Sequence, residues 1–452
     1  MKNLLKLFFF ALCLALSSLA IAQDMDWKKA TNYDKTAAKK QLTQRFTDYV
    51  TFDTQSNDQS TTTPSTPGQL KLAKALAKEL KKNGATQVRV DKNGIVTALI
   101  PANQPTSAPT IALLAHMDTA MEVSGANVKP QVHTNYAGGD IVINAEKKLI
   151  LNSTNAPQLA FAKGHDIITA SGNTLLGADD KTGVSIIMTL VQYLYDHPSF
   201  KHGPIKIAFT PDEEIGTGIT HFDVPGFGAD YAYTFDGSDI GQLTTENFNA
   251  KSFTVVFEGN RAVHPGEAMN SPFSDNLLMA SDFHTLLPRQ QRPETSAGRR
   301  GFILVDSITT DQNRSEINGI IRAFSDEEMN QLVAEVTRAF NTVKAMNYKG
   351  TGFSLSFKDQ YKNMKAFLPQ KVVDMASMAM TQEDISPRIN AARGGTDGAQ
   401  LSLAGLPTPD IFSGQYNIHS PLEYADVDVM EASLRTALRL VWLWGLQSAP
   451  MK

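Results

Sequence analysis

The sequence predicts an α/β fold, with a mixed-sheet main domain carried in two sequence segments and a smaller α+β domain inserted between them. Three observations predict it. Short apolar runs alternate with helix-length amphipathic segments up to about residue 248, a strand-rich block with two helices fills 249–356, and the alternating texture returns over 357–452. At 452 residues the chain can hold two or three domains, and an insertion of roughly 100 residues is of ordinary domain size. No repeat of solenoid type is visible.

Residues 1–22 stand apart from this pattern: Lys2 and Lys6 precede the apolar run LFFFALCLAL, which ends in small residues and Ala20-Ile21-Ala22. This predicts a secretory signal peptide cut before Gln23, because the run is shorter than the roughly 20 apolar residues needed to span a bilayer. The mature chain is therefore expected to be periplasmic or secreted and free of the membrane. Cys13, the only cysteine, lies inside this segment, so the mature chain carries no thiol. Any metal must then rest on His, Asp and Glu.

The remaining elements follow in order. Residues 36–50 read as a helix, and the Ser/Thr/Pro-rich stretch after it as a solvated connection. In the next helix Leu70, Ala73, Leu76, Ala77 and Leu80 form the apolar stripe, lysines face water, and Gly84 is the stop. Strands are expected at ATQVRVDKNGIVTALIP and TIALLAH, then a loop-rich stretch with a hairpin, a helix from near Asp180, and strands IKIAFT and YAYTFD. The inserted block contains KSFTVVFEG, a helix around 272–287, a strand near 302–309, EINGIIRAF, and a helix from 325 to 346. The last segment has a helix over 369–381, the Gly-rich RGGTDGA, TPDIFS, and a final helix ending LRTALRLVWLWGL. Composition is that of a globular protein, with 42% hydrophobic and 19% charged residues, and a net charge of −4 points to no nucleic-acid or anionic-membrane partner.

Ligands in open α/β sheets gather outside the carboxyl ends of the strands. Here TIALLA runs into His116-Met117-Asp118, IKIAFT into Pro211-Asp212-Glu213-Glu214, and YAYTF into Asp236, while LLGADDKTG puts Asp179 before a helix. Singly each is more ordinary as a structural histidine, a surface charge or a helix cap. Their recurrence at strand ends points to a metal centre. A zinc pair needs a few His and carboxylate ligands, one carboxylate able to bridge, and room for water. His116, Asp179, Glu214, Asp236 and His419 supply that set. Glu213, beside a ligand, is placed to act as general base, and Asp118 to orient the His116 ring.

Six motifs, HMDT (116–119), LLGADDKTG (175–183), FTPDEEIGTG (209–218), VHPG (263–266), RGGTDGAQLS (393–402) and NIHS (417–420), resemble the peptidase T family. That family comprises tripeptide aminopeptidases of the dinuclear zinc aminoacylase and carboxypeptidase superfamily. DTQS (53–56), PSTPGQ (64–69), NYAGGDI (135–141), HFDVPGF (221–227) and TTENFNA (244–250) extend the likeness over about residues 40–445. The resemblance implies one zinc at His116 and Asp236, another at Glu214 and His419, Asp179 bridging, and a cis peptide at Asp179–Asp180. It implies two zinc ions, replaceable by cobalt or manganese, and a homodimer in which His264 of the lid or dimerisation domain steadies the oxyanion at the partner's site. Arg393 matches an arginine suited to the substrate carboxylate, and Arg322 belongs to the same recognition group. Two departures fall there: Ala323 stands where the family commonly has aspartate, and HSPLEY (419–424) replaces the more usual HGKHEF. Histidines 133, 165, 197, 202, 221 and 284 match no catalytic position.

The implied activity is removal of the N-terminal residue from short peptides, tripeptides above all, by water activated at the zinc pair with Glu213 as base. Alternatives within the chemistry are a dipeptidase, a carboxypeptidase or an N-acyl-amino-acid amidohydrolase. From another class comes a non-catalytic periplasmic peptide- or zinc-binding protein, against which the presence of Glu213 speaks.

Overall fold

The computed structural model describes Trp27 and residues 33–346 and 352–448, so the expected signal segment 1–22 lies outside the described residues. The described residues divide into two compact units, one formed by those up to 242 with 374–387 and those from 411 onward, the other by those within 243–373 and 388–410.

In the first unit the strands Thr86–Val90, Val96–Ile100, Ile205–Thr210, Ile111–His116 and Tyr231–Gly237 lie side by side in that order. The first three are antiparallel neighbours and the last three run parallel, so the sheet is mixed. Every residue of Ile111–His116 is buried. A central parallel strand is covered on both faces, which is why its sequence is an unbroken apolar run until the terminal histidine. Helix Ala178–Asp196 packs against this strand, and helices Lys35–Tyr49 and Val427–Gly445 pack against that helix in turn.

Helix Pro67–Lys82 starts with proline at its first turn, where the missing N–H has no intrahelical partner to lose. Ala73, Leu76, Ala77 and Leu80 are buried as the periodicity requires, but the stripe continues through Leu72 and Gln69 rather than Leu70, which is only half-buried. Gln69 turns inward because its amide donates to Asp212 Oδ1 at 2.7 Å. A small antiparallel sheet, in the order Gln415–Tyr416, Tyr424–Asp426, Ile167–Thr169, Gln131–His133, completes the unit, and His419 sits in the connection between its first two strands. Ile141–Asn144 and Leu149–Leu151 form the expected hairpin.

The second unit is an antiparallel sheet in the order Phe302–Thr310, Arg314–Ala323, Asn249–Glu258, Phe353–Tyr361, covered by helices Asn276–Leu286 and Asp326–Ala345. Phe253, Val255, Phe257, Phe283, Ile317, Ile321, Leu332 and Val336 form its core. Ser325 caps the longer helix by accepting the Glu328 N–H. Phe353–Tyr361 pairs along Asn249–Glu258, and residues 388–410 also belong to this unit. Phe353, Leu355 and Phe357 alternate with Ser354 and Ser356 as a half-buried strand does, but that alternation does not say which sheet the strand joins. Among the described residues, no helix is long and apolar enough to cross a membrane.

Candidate metal centre

The metal-ligand candidates all belong to the first unit. His116 ends its strand, Asp236 is the penultimate residue of Tyr231–Gly237, and Glu213 and Glu214 follow the strand Ile205–Thr210. Asp179 opens helix Ala178–Asp196 but has extended backbone, with φ −80° and ψ 107°, and the peptide between it and Asp180 is cis.

The Asp179 carboxylate divides the centre in two. Its Oδ1 lies 2.8 Å from His116 Nε2, which is also 3.6 Å from Asp236 Oδ1. Its Oδ2 lies 3.3 Å from His419 Nε2, which is 2.9 Å from Glu214 Oε2. Two clusters of one imidazole and one carboxylate thus share a third carboxylate. Glu214 Oε1 is buried with no hydrogen-bond partner among the described residues. Such an orphaned acceptor costs roughly 1–3 kcal/mol unless something meets it. Asp180 also approaches His116 and Asp236. Its oxygens, however, accept the backbone N–H groups of His116 (3.3 Å) and Gly183 (3.1 Å), which makes it a brace rather than a ligand.

The electrostatics agree with the donor set. Burial and the neighbouring Asp179 push Glu214 up to about 8, and the same two causes raise Asp236. Hydrogen bonds to Asp179 and Glu214 push His419 up to about 11. His116 is raised well above the ordinary histidine range although burial opposes it, because Asp236, Asp118 and Asp179 surround the ring. Asp179 is held well below the usual carboxylate range against its own burial by the two imidazoles. The group attracts positive charge, and the His and carboxylate donors, the bridging position and the orphaned Oε1 fit a pair of borderline divalent cations.

Four further residues brace the site. Asp118, fully buried, accepts the Glu213 N–H on Oδ1 (3.0 Å) and the Glu214 N–H on Oδ2 (3.1 Å). Its Oδ1 is also 3.3 Å from His116 Nδ1, close in distance but not aligned as a hydrogen bond. Asp212 has φ +55°, a backbone region aspartate tolerates better than most side chains, and its buried carboxylate accepts from Ser65 N, Ser65 Oγ and Gln69 Nε2. Glu122 Oε1 approaches His419 Nδ1 at 3.3 Å. Gln415 Nε2 donates to Asp236 Oδ1 at 3.0 Å. Asp212, Glu122 and Gln415 carried no sequence signal beyond their nearness to ligand motifs.

The three recognition candidates lie in the second unit. His264 is exposed, and its Nδ1 accepts the Gly266 N–H. Arg322 donates to the Ile321 carbonyl at 3.2 Å and stacks over Tyr361. Arg393 donates to the carbonyls of Gly298 (2.7 Å), Arg300 (3.0 Å) and Ser296 (3.2 Å) and stacks on Phe248 and Phe302. Both its terminal nitrogens are therefore engaged in holding the 296–300 loop. Ala323 is fully buried in the core of this unit, where a carboxylate would be without water. Among the histidines matching no catalytic position, His165 bonds Asp426 at 2.7 Å, His133 bonds Thr169 and buried His202 bonds the Gly203 carbonyl.

An open α/β sheet whose strand ends carry two His–carboxylate clusters around one shared aspartate defines a metal-dependent hydrolase. Residues 173–442 match the peptidase family M20/M25/M40. A peptidase T of Parabacteroides distasonis is 46% identical over 407 residues, 89% of this chain and 99% of that relative. A peptidase T of Listeria monocytogenes is 44% identical over 410 residues, 90% and 99% of the two chains. The crystal structure of an aminopeptidase from Bacillus cereus shares the fold with a TM-score of 0.69 at 19% identity, covering 90% of this chain and 98% of that one. The chain belongs to peptidase family M20/M25/M40 and is closely related to bacterial peptidase T.

Proposed function

We propose that this protein is an exported aminopeptidase that holds two zinc ions and removes the N-terminal residue of short peptides, tripeptides among them. The observation that carries the two-ion reading is the division of Asp179, one oxygen toward His116 and the other toward His419. His116 and Asp236 would hold one ion, Glu214 and His419 the other, with Asp179 between them. The ion pair supplies Lewis-acid polarisation of the scissile carbonyl and a lowered pKa for water. Glu213 takes the proton from the attacking water and passes it to the leaving amine as the peptide C–N bond breaks. Asp118 fixes the backbone of both glutamates while it does so, through the two N–H groups it accepts.

Aminopeptidase action is supported by the 46% and 44% identity to peptidase T over nearly the whole of each relative. Export is supported by Lys2, Lys6, the apolar run and Ala20-Ile21-Ala22, and the periplasm or the medium is its destination. Substrate recognition is assigned to His264, Arg322 and Arg393 on their motif positions, although Arg393 uses both terminal nitrogens to hold the 296–300 loop in this structure, and a homodimer is the assembly in which His264 would reach a partner's site.

Di-, tri- and tetrapeptides with free and acetylated N-termini, assayed with a chelator and with zinc or cobalt restored, test the reading. Release of the first residue from free tripeptides, abolished by the chelator and recovered with metal, is the expected result. Cleavage confined to dipeptides, to C-terminal residues or to acylated amino acids would replace aminopeptidase by one of the related activities. Metal binding without turnover of any peptide would leave a binding protein.

A further inference from the structure

We propose that Glu423 is a positioning residue that ties the Asp179 loop to the His419 loop and so sets the spacing of the two metal clusters. This rests on the reading that the clusters hold a metal pair. Glu423 is 1% exposed, and its Oε2 accepts the N–H groups of Leu176 (2.6 Å) and Gly177 (2.8 Å) while Oε1 accepts that of Asp179 (3.1 Å). Its own N–H donates to the Ser420 carbonyl at 3.2 Å, closing the turn directly after His419. One buried side chain thus joins the residue that faces both imidazoles to the loop that carries the second imidazole.

The Asp179 loop needs such a partner. Gly177 has φ +83°, and Asp179 and Asp180 have non-helical backbone angles inside the first turn of helix Ala178–Asp196. Buried N–H groups in such a segment must find an acceptor outside it. A carboxylate offers enough lone pairs for all three donors at once. Glutamine has the same shape but presents an amide –NH₂ in place of one oxygen, donor against donor. His419 is also held at φ +59°. A loop in that conformation benefits from an anchor a few residues away. The oxygens of Glu423 meet backbone N–H groups, so its influence passes through the backbone of Asp179 and the turn after His419.

The test is zinc affinity, measured by competition with a chromophoric chelator on the stripped protein and on Glu423→Gln, so that turnover is not the readout. The wild type is expected to take up two equivalents, and Glu423→Gln to bind at least one of them about 10–100-fold more weakly. kcat is expected to fall while KM stays near its wild-type value. Glu423→Gln binding two equivalents with wild-type affinity would overturn the proposal, even if the stripped variant melted earlier, since that pattern belongs to a merely structural residue. A wild type that binds no zinc would defeat the metal reading itself. Hydrogen exchange on the stripped wild type needs no variant: slow exchange at the amides of Leu176, Gly177 and Asp179 is expected, and rapid exchange would overturn the proposal.

Discussion

Each oxygen of Asp118 accepts one backbone N–H, from Glu213 and from Glu214, so a single buried carboxylate holds two adjacent residues to which the proposed mechanism gives different tasks. In the proposed mechanism that arrangement would separate the proton-transfer group from the ligand by one peptide. Glu213→Gln keeps the shape and the backbone bonds but cannot take a proton. Its kcat is expected to drop by about 10²–10⁴-fold with zinc content unchanged, as read by steady-state kinetics alongside metal analysis. Unchanged turnover would remove Glu213 as the base. His116, Asp236 and the Glu213–Glu214 pair stand out in the sequence because each lies at the end of an apolar strand, whereas Asp179 lies in a loop before a helix and His419 stands out only through the motif NIHS. Asp212, Glu122 and Glu423 do not stand out, because they act through contacts with backbone or with another ligand, and no spacing rule records which N–H a carboxylate will meet.

Among the elements, the start of helix Ala178–Asp196 is tightly constrained. A Cβ added at Gly183 would lie 2.2 Å from the Phe235 carbonyl oxygen and 2.6 Å from Asp180 Oδ1, so the helix approaches the strand bearing Asp236 only because residue 183 has no side chain. Gly183→Ala is expected to cost about 1–3 kcal/mol, measured by urea unfolding, and to weaken zinc binding by displacing Asp180. Wild-type stability and affinity would contradict this packing. Helix Val427–Gly445 begins with a second device: Asp426 caps it with Oδ1 and pairs through Oδ2 with His165. The bond to Asp426 raises the His165 pKa against partial burial, with Asp428 adding to the rise and Lys39 opposing it. The stabilisation is therefore complete below the unfolded histidine pKa of about 6.5 and fades as pH climbs through the higher folded value. His165→Asn is expected to be less stable than wild type by a margin larger near pH 5.5 than near pH 9, with pH about one unit below and well above the unfolded value. Equal margins would contradict the assignment.

At the scale of the whole molecule, the alternation of strands and helices exposed the mixed α/β unit and its insertion, while the extent of the second unit was hidden. Phe353–Tyr361 carries half-exposed alternation, and only its pairing with Asn249–Glu258 shows where it belongs. Leu72 is legible from full helical spacing, since it stands four residues before Leu76, whereas the inward turn of Gln69 on the same face rests on its bond to Asp212, a polar contact that hydrophobic periodicity does not contain. The central claim is that Asp179 stands between two metal ions. Anomalous diffraction at the zinc edge from crystals of the zinc-loaded protein tests it directly. Two peaks are predicted, one beside His116 and Asp236, the other beside Glu214 and His419, with the Asp179 carboxylate between them. A single peak, or peaks at another group such as His165, Asp426 and Asp428, would contradict it.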